Sequence, residues 1–130
     1  MIILTIKTDN PVAEVGLFNN SKKLDYISWE AHKQLSATIH LKIKEILDNN
    51  NLSLNDLNSI IIYKGPGSFT GLRIGFSVAN AFSYSLNIPL IAESGKNWAS
   101  SGTTRAIKGN NDFIAAPVYG AKPHITIQKK

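Results

Sequence analysis

The stretch that decides the fold is Gly65-Pro66-Gly67-Ser68-Phe69-Thr70-Gly71-Leu72-Arg73-Ile74-Gly75. An apolar, strand-like run at 59–63 precedes it, and a helix-like segment that ends near Leu86 follows it. A glycine-rich turn between a strand and a helix presents backbone amides at the helix N-terminus, which suits an anion or a close protein contact. We expect a structural turn first, and an anion or partner contact second.

Individual residues of this glycine loop have separate expected roles. Gly65 and Gly67 give backbone freedom on either side of Pro66, whose ring fixes φ. If Gly67 lies at positive φ, valine in its place lowers stability. Ser68 and Thr70 are both candidate N-caps. The residues assigned to a structural or anion contact are Gly65, Gly67, Ser68, Thr70 and Arg73.

Two common nucleotide-binding patterns do not fit the loop. A P-loop ends in Gly-Lys-Ser/Thr, but Leu72 follows Gly71, and no lysine occurs between Gly65 and Leu86. The dinucleotide fingerprint requires glycine at its sixth position, which is Thr70 when counted from Gly65. A tight turn leading into a closely packed helix therefore remains the alternative to a ligand site.

Composition narrows the class of protein. With 130 residues, 43% hydrophobic and 18% charged, the chain is expected to form one globular domain over residues 1–130. There are no cysteines, which excludes disulfides and thiolate sites and favours a reducing compartment, the cytoplasm. The apolar start at 2–6 is too short for a signal or a membrane span. A net charge of +5 permits weak attraction to nucleic acid, although the basic residues are scattered.

Hydrophobic patterning predicts an α/β fold. Runs at 2–7, 12–18 and 24–29, separated by turn residues, predict an antiparallel meander. Helical spacing then predicts helices at 34–49 and 71–86, with strands at 60–63 and 89–92, so that a βαβα passage completes a mixed five-stranded sheet. Residues 93–111 carry no clear pattern. Two further strands are expected at 112–117 and 124–127, around a turn at Tyr119-Gly120.

The second helix has a stripe of small residues. Gly71, Gly75, Ala79 and Ser83 recur at every fourth position, so a neighbouring helix is expected to lie close. Residues 72–86 are apolar or small almost all round, which leaves one side to form an interface unless the C-terminal tract covers it. Gly75→Leu is then expected to abolish association without unfolding the monomer. The predicted interface is Leu35, Ile39, Ile43, Ile46, Gly71, Leu72, Gly75, Ala79 and Phe82.

In this order the pieces resemble the bacterial TsaB (YeaZ) family of tRNA threonylcarbamoyladenosine biosynthesis proteins. The resemblance is strongest over 52–91, where Gly65 to Gly75 reproduces the family signature GPGSFTGLRIG at every position. Residues 3–9 and the helix at 32–47 match more weakly. The resemblance implies a lobe of the actin/Hsp70 superfamily, which is ribonuclease H-like. It also implies a second lobe, so we expect a short form that lacks most of it and forms no interlobe nucleotide cleft alone.

The resemblance implies a non-catalytic scaffold. TsaB proteins pair with the catalytic subunit TsaD, which transfers threonylcarbamoyl to the adenosine next to the tRNA anticodon, and the first two helices of each partner form a four-helix bundle. The ATPase TsaE joins through the complex and tRNA is contacted indirectly. A homodimer through the same surface is the alternative assembly, and no membrane is involved. No cofactor is expected, except ATP or ADP at an interface of the full complex.

A minimal kinase-like or peptidase-like enzyme is the alternative function. By resemblance, kinases of the superfamily carry an acidic residue where this chain has Lys7, which repels a divalent metal. His32 and His40 are eight positions apart and His124 is isolated, so no histidine pair with metal-chelating spacing exists. Ser68 lacks a G-x-S-x-G frame. We expect no catalytic and no metal-binding residues, and the dispersed aromatic residues do not form an RNA-recognition motif.

Overall fold

A computed structural model of the chain describes residues 1–113 and 115–117. In chain order its elements are β1 (Ile2–Lys7), β2 (Val12–Asn19), β3 (Lys22–Glu30), α1 (Leu35–Asn49), β4 (Ser59–Tyr63), α2 (Phe69–Leu86), β5 (Leu90–Glu93) and α3 (Trp98–Ile107). Short 3-10 helices, His32–Gln34 and Leu54–Asp56, precede and follow α1. The predicted helices at 34–49 and 71–86 are confirmed within two residues at each end.

The sheet has five strands in the order β3-β2-β1-β4-β5. β2 pairs antiparallel with both β1 and β3, whereas β1 with β4 and β4 with β5 pair in parallel. Each parallel pair requires a long crossover connection, which α1 and α2 provide. The predicted mixed sheet, a meander followed by βαβα, is confirmed.

Helices α1 and α2 both cover one face of the sheet, which we call the first face. Alternate residues of the central strands, Leu4 and Ile6 of β1 and Ile60 and Ile62 of β4, are fully buried beneath them. Because side chains alternate along a strand, Ile61 points to the opposite, second face. There it packs in a smaller cluster with residues of α3. Both faces of the central strands are therefore buried, and these strands are continuously apolar in sequence.

Helix α3 has no counterpart in the sequence patterning, because its region is rich in Ser, Gly, Thr and Asn. These small residues allow it to lie close to the sheet. A Cβ atom built on Gly102 would lie 2.5 Å from Ile61 Cγ2, and Gly102 itself is buried. Within the described residues, no helix has the length and apolarity needed to cross a bilayer.

The strand predicted at 112–117 is wrong for the residues that the structure describes there, 112–113 and 115–117. Asp112 instead caps the outer edge of β5. Its N–H donates to Leu90 O at 2.7 Å, and its Oδ2 accepts from Ala92 N at 2.8 Å. A side chain thus takes one of the hydrogen bonds that a paired strand would make. The predicted strand at 124–127 and the Tyr119-Gly120 turn lie outside the described residues.

Candidate functional site

The glycine loop packs on the turn between β1 and β2. Ser68 N donates to Asp9 O at 2.8 Å. A Cβ atom on Gly67 would lie 2.5 Å from Asp9 Cβ and 2.7 Å from Asp9 O, so only glycine fits there. Gly67 does not have the positive φ considered from sequence; Gly65 does, with φ of 106°. The close approach of two backbones is therefore the physical reason for Gly67.

The structure at the start of α2 shows which of the two candidate residues acts as the N-cap. Ser68 is the N-cap, and its hydroxyl oxygen accepts a hydrogen bond from Gly71 N at 3.3 Å. Thr70 lies inside the helix and is exposed. At the other end, Asn87 closes α2 in the left-handed conformation, with φ of 56°. Arg73 lies one turn into the helix, and its guanidinium is 5.3 Å from the centre of the Phe69 ring.

The small-residue stripe of α2 faces this chain's own strand β1. Thr8, which is fully buried, donates from Oγ1 to Gly71 O at 2.8 Å. A Cβ atom on Gly75 would collide with Thr8 Oγ1 and lie 3.3 Å from its Cβ and Cγ2. The close neighbour of the stripe is thus the end of β1 rather than a partner's helix. Gly75→Leu would therefore strain the packing of α2 on Thr8 within the monomer, so a loss of association in that variant would not by itself identify an interface.

Most of the predicted interface residues are likewise internal. Leu35, Ile39, Ile43 and Ile46 of α1 are at most 5% exposed, and Leu72 and Ala79 of α2 are fully buried. Except for Leu72, they belong to the cluster on the first face, because a helix that covers a sheet buries its apolar stripe in that contact. The interface prediction is corrected for these side chains, which have almost no accessible surface, although Ile43, 2% exposed, also lines a hollow on the outer side of the helices. Phe82 and Gly71 are partly exposed.

The outward face of the two helices carries a groove, which we call the helix groove. It consists of two hollows that share His40, whose ring meets the Phe82 ring edge-on at 5.9 Å. The first hollow, about 370 Å³, is lined mainly by Ile43, Leu47, Leu52, Leu54 and Phe82. The second, about 350 Å³, is lined by Ser36, Thr70, Arg73, Ile74, Ser77 and Val78. A mainly apolar hollow thus continues into one whose lining contains more polar side chains, which we call the polar hollow.

At the carboxyl end of β1, Lys7 is engaged within the chain. Its ammonium lies 2.7 Å from Asp9 Oδ1 and 4.7 Å from the centre of the Tyr63 ring. The Lys7 ammonium is thus neutralised by a neighbouring carboxylate and packed against an aromatic ring. Among residues 1–113 and 115–117, no group of three or more His, Asp or Glu side chains is arranged to hold a metal ion.

Sequence reasoning missed Thr8 and Asp9, the residues on which the loop and α2 rest. Both lie in a polar turn after an apolar strand, so their types indicate only a turn. The glycines at 67, 71 and 75 were the available signal, because closely spaced glycines indicate that something approaches them closely. Which part of the chain approaches is decided by the parallel pairing of β1 with β4.

The chain is similar to known proteins. The family model described as "TsaD: tRNA N6-adenosine threonylcarbamoyltransferase" matches residues 29–97, which include α1, β4, the glycine loop and α2. The tRNA threonylcarbamoyladenosine biosynthesis protein TsaB of Bacillus subtilis (strain 168) is 32% identical over 124 residues, 94% of this chain and 51% of that protein. The protein of the same name from Buchnera aphidicola subsp. Schizaphis graminum is 38% identical over 115 residues, 88% of this chain and 54% of that one.

A solved structure agrees with these matches in fold. YeaZ from Pseudomonas aeruginosa superposes with a TM-score of 0.67 at 24% identity, over 72% of this chain and 43% of that one. Together with the family match, the likeness supports the actin-like, ribonuclease H-like α/β fold. This chain spans about half the length of the curated relatives it matches. On the evidence of its sequence, the chain belongs to the TsaB (YeaZ) family.

Proposed function

We propose that this chain is a non-catalytic subunit in the synthesis of N6-threonylcarbamoyladenosine in tRNA, and that it pairs with a TsaD-type catalytic protein through the helix groove. The observation that carries this proposal is that the family match covers both helices that form the groove. Relatives with the same pattern are named for this biosynthesis. The proposed occupant of the groove is a pair of helices from the catalytic partner.

The surface of the groove supports a helical partner. Its apolar hollow offers pockets for aliphatic side chains, and Leu54 in its lining is 39% exposed. Its polar hollow lies beside Ser77, a small exposed residue of α2 that allows close approach. A partly apolar centre with polar surroundings is typical of interfaces between proteins that are also stable as free monomers.

The engagement of Lys7 with Asp9 and Tyr63 supports a non-catalytic role. Phosphoryl transfer needs carboxylates that are free to hold Mg²⁺. Asp9 is already paired with an ammonium, which opposes a divalent cation by like charge. We therefore favour the scaffold over a kinase-like or peptidase-like enzyme. The wider assembly, with TsaE through the complex, tRNA contacted indirectly and a cytoplasmic location, belongs to the same proposal.

The decisive experiment measures binding to the TsaD protein of the same organism. Ser77→Arg places a charged side chain in the polar hollow without touching the core. We expect it to weaken binding at least about ten-fold, because a charge buried without a partner in a packed interface is strongly unfavourable. Isothermal titration calorimetry with purified proteins gives the affinities, and circular dichroism verifies that the variant is folded.

Ser101→Arg is the matched control. Ser101 is also an exposed serine within a helix, but α3 lies on the second face of the sheet, away from the groove. The control is expected to bind as the wild type does. Equal affinities of the two variants for TsaD would place the contact elsewhere, and a wild-type chain that does not bind TsaD would contradict the proposed function. If the wild type homodimerises through the groove, TsaD should compete with the dimer.

A further inference from the structure

Positive charge is distributed unevenly along the helix groove. In the apolar hollow, Lys44 and Asp48 both belong to the lining, and the Lys44 ammonium lies 2.9 Å from Asp48 Oδ2. The polar hollow is lined by Arg73 and by no aspartate or glutamate. None of the ion pairs within residues 1–113 and 115–117 involves Arg73. The groove is therefore neutralised at one end and positively charged at the other.

The Arg73 side chain is exposed and belongs to the second turn of α2. Its guanidinium lies 5.3 Å from the centre of the Phe69 ring, which belongs to the preceding turn. An aromatic ring attracts a cation but does not neutralise it, because the ring carries no net charge. The charge of Arg73 is therefore still available to a group that enters the polar hollow.

The other polar groups of the hollow suit an acceptor. Ser36, Thr70 and Ser77 line it, and each of their hydroxyls can donate a hydrogen bond. Ser36 is the second residue of α1 and Thr70 the second of α2, so the hollow lies where both helices begin. Neither helix has an acidic residue in its first turn. The partial positive charge of the two helix ends adds to that of Arg73.

We propose that the polar hollow receives a carboxylate side chain of the helical partner and that Arg73 binds this carboxylate. The inference rests on the proposed function and specifies the chemistry of the partner's surface. A pair of helices that covers the groove removes water from the guanidinium, and a charge buried without a counter-charge is strongly unfavourable. A carboxylate supplies that counter-charge, and its two oxygens can accept two parallel N–H bonds from one guanidinium.

The same contact gives the groove a direction. Aliphatic side chains fit the apolar hollow in either orientation of the partner, whereas the carboxylate is matched at one end of the groove only. Charge complementarity of this kind selects the register and the orientation of a partner. One carboxylate pairs with one guanidinium, so the additional arginine of Ser77→Arg remains without a counter-charge.

The first test compares Arg73 variants in binding to the TsaD protein of the same organism, measured by isothermal titration calorimetry. Arg73→Gln is expected to weaken binding about thirty-fold, because it leaves the partner's carboxylate buried and unpaired. Arg73→Lys keeps the charge but lacks the planar fork, so its affinity should lie between those of the wild type and Arg73→Gln. Glutamine is a good helix former at an exposed position, and the melting temperature should be unchanged.

Lys108→Gln is the matched control. Lys108 is exposed at the end of α3, on the second face of the sheet, and the substitution removes the same unit of positive charge from the chain. Its affinity for TsaD is expected to equal that of the wild type. Raising the salt concentration should weaken the wild-type complex more than the complex of Arg73→Gln, because salt screens the interaction of Arg73 with the carboxylate.

A double-mutant cycle identifies the carboxylate. Aspartates and glutamates in the first two helices of TsaD are replaced one at a time by asparagine or glutamine. For one of them, the loss of affinity in combination with Arg73→Gln should be much smaller than the sum of the two single losses, since both substitutions break the same contact. The other carboxylates should give additive effects.

Unchanged affinity of folded Arg73→Gln protein for TsaD would overturn the inference and leave the proposed function in place. Additive effects for every carboxylate of the two helices would do the same. Unchanged affinity for TsaD together with weaker binding of the assembled complex to tRNA would assign Arg73 to a phosphate instead. A wild-type chain that does not bind TsaD would contradict the proposed function and this inference together.

Discussion

Single residues hold α2 against the end of β1. Gly71 and Gly75 leave room for Thr8, which is fully buried and donates its hydroxyl hydrogen bond to Gly71 O. A glycine inside a helix is ordinarily less stable than alanine by about 1 kcal/mol. At Gly75 this preference is reversed, because the space that a methyl group needs is occupied by the Thr8 side chain.

Gly75→Ala is therefore expected to lower the free energy of unfolding by about 1–3 kcal/mol, the usual penalty for overpacking. Urea denaturation followed by circular dichroism measures it. Thr8→Ala in the same chain removes the obstructing atoms, so the double variant should be less destabilised than the sum of the two single variants. Additive effects, or a stabilising Gly75→Ala, would contradict the close contact. Ser77→Ala, at an exposed position of the same helix, is the control.

At the scale of elements, one arginine joins α3, β5 and the segment that follows α3. Arg105 Nη1 lies 3.1 Å from Glu93 Oε2, and its Nη2 lies 2.5 Å from Asp112 Oδ1. Asp112 in turn accepts the Ala92 N–H. Partial burial by itself raises the pKa of Asp112, but the hydrogen bonds from Arg105 and Ala92 outweigh burial and lower it.

Asp112→Asn is expected to destabilise the protein at neutral pH by about 1–2 kcal/mol, because hydrogen bonds to a charged group are lost. Since the pKa of Asp112 is lower in the folded protein than its ordinary 3.8, its carboxylate stabilises the fold above that pH. The difference between variant and wild type should shrink as the pH falls below about 4. Thermal unfolding from pH 7 to pH 2 measures this.

Asp48→Asn is the control for this pH dependence. It breaks the Lys44–Asp48 pair, whose side chains are 74% and 60% exposed, and exposed pairs contribute little. The control should change stability by less than about 0.5 kcal/mol at any pH. A pH-independent effect of Asp112→Asn would show that its charge does not stabilise the fold.

At the scale of the whole molecule, the sheet is buried unevenly. β1 and β4 are central and covered on both faces, whereas β3 forms one edge and carries exposed residues at alternate positions. At the other edge, β5 is capped by Asn111 and Asp112. The edge strand β3 therefore has fewer stabilising contacts than the other strands of the sheet.

Native-state hydrogen exchange measured by NMR is expected to reflect this difference in burial between the central strands and β3. Amides of β1 and β4 should exchange only through global unfolding, and those of β3 through smaller openings that leave the central strands intact. The rates of the two groups should converge as denaturant is added. β3 amides that exchange as slowly as those of β1 without denaturant would contradict this account.

The sequence by itself determined the order of the elements and the nature of the glycine loop. Apolar runs of strand length and helical spacing are local properties, and they predicted the five strands, α1 and α2. The glycines of the loop indicated close packing, but they did not indicate which part of the chain packs against them. Helix α3 was not predicted, because its small polar residues give no strong hydrophobic periodicity.

Only the tertiary structure decided which surfaces are free. The apolar stripe of α1, with Leu35 and Ile39, was indistinguishable in sequence from an interface, because a helix buries the same side chains against its own sheet or against a partner. Gly75 faces Thr8 because α2 packs on the end of β1, and Gly16 lies beside Thr5 because strand pairing sets residues distant in sequence side by side. Local sequence fixes what each residue can contact, and the pairing of strands fixes what it does contact.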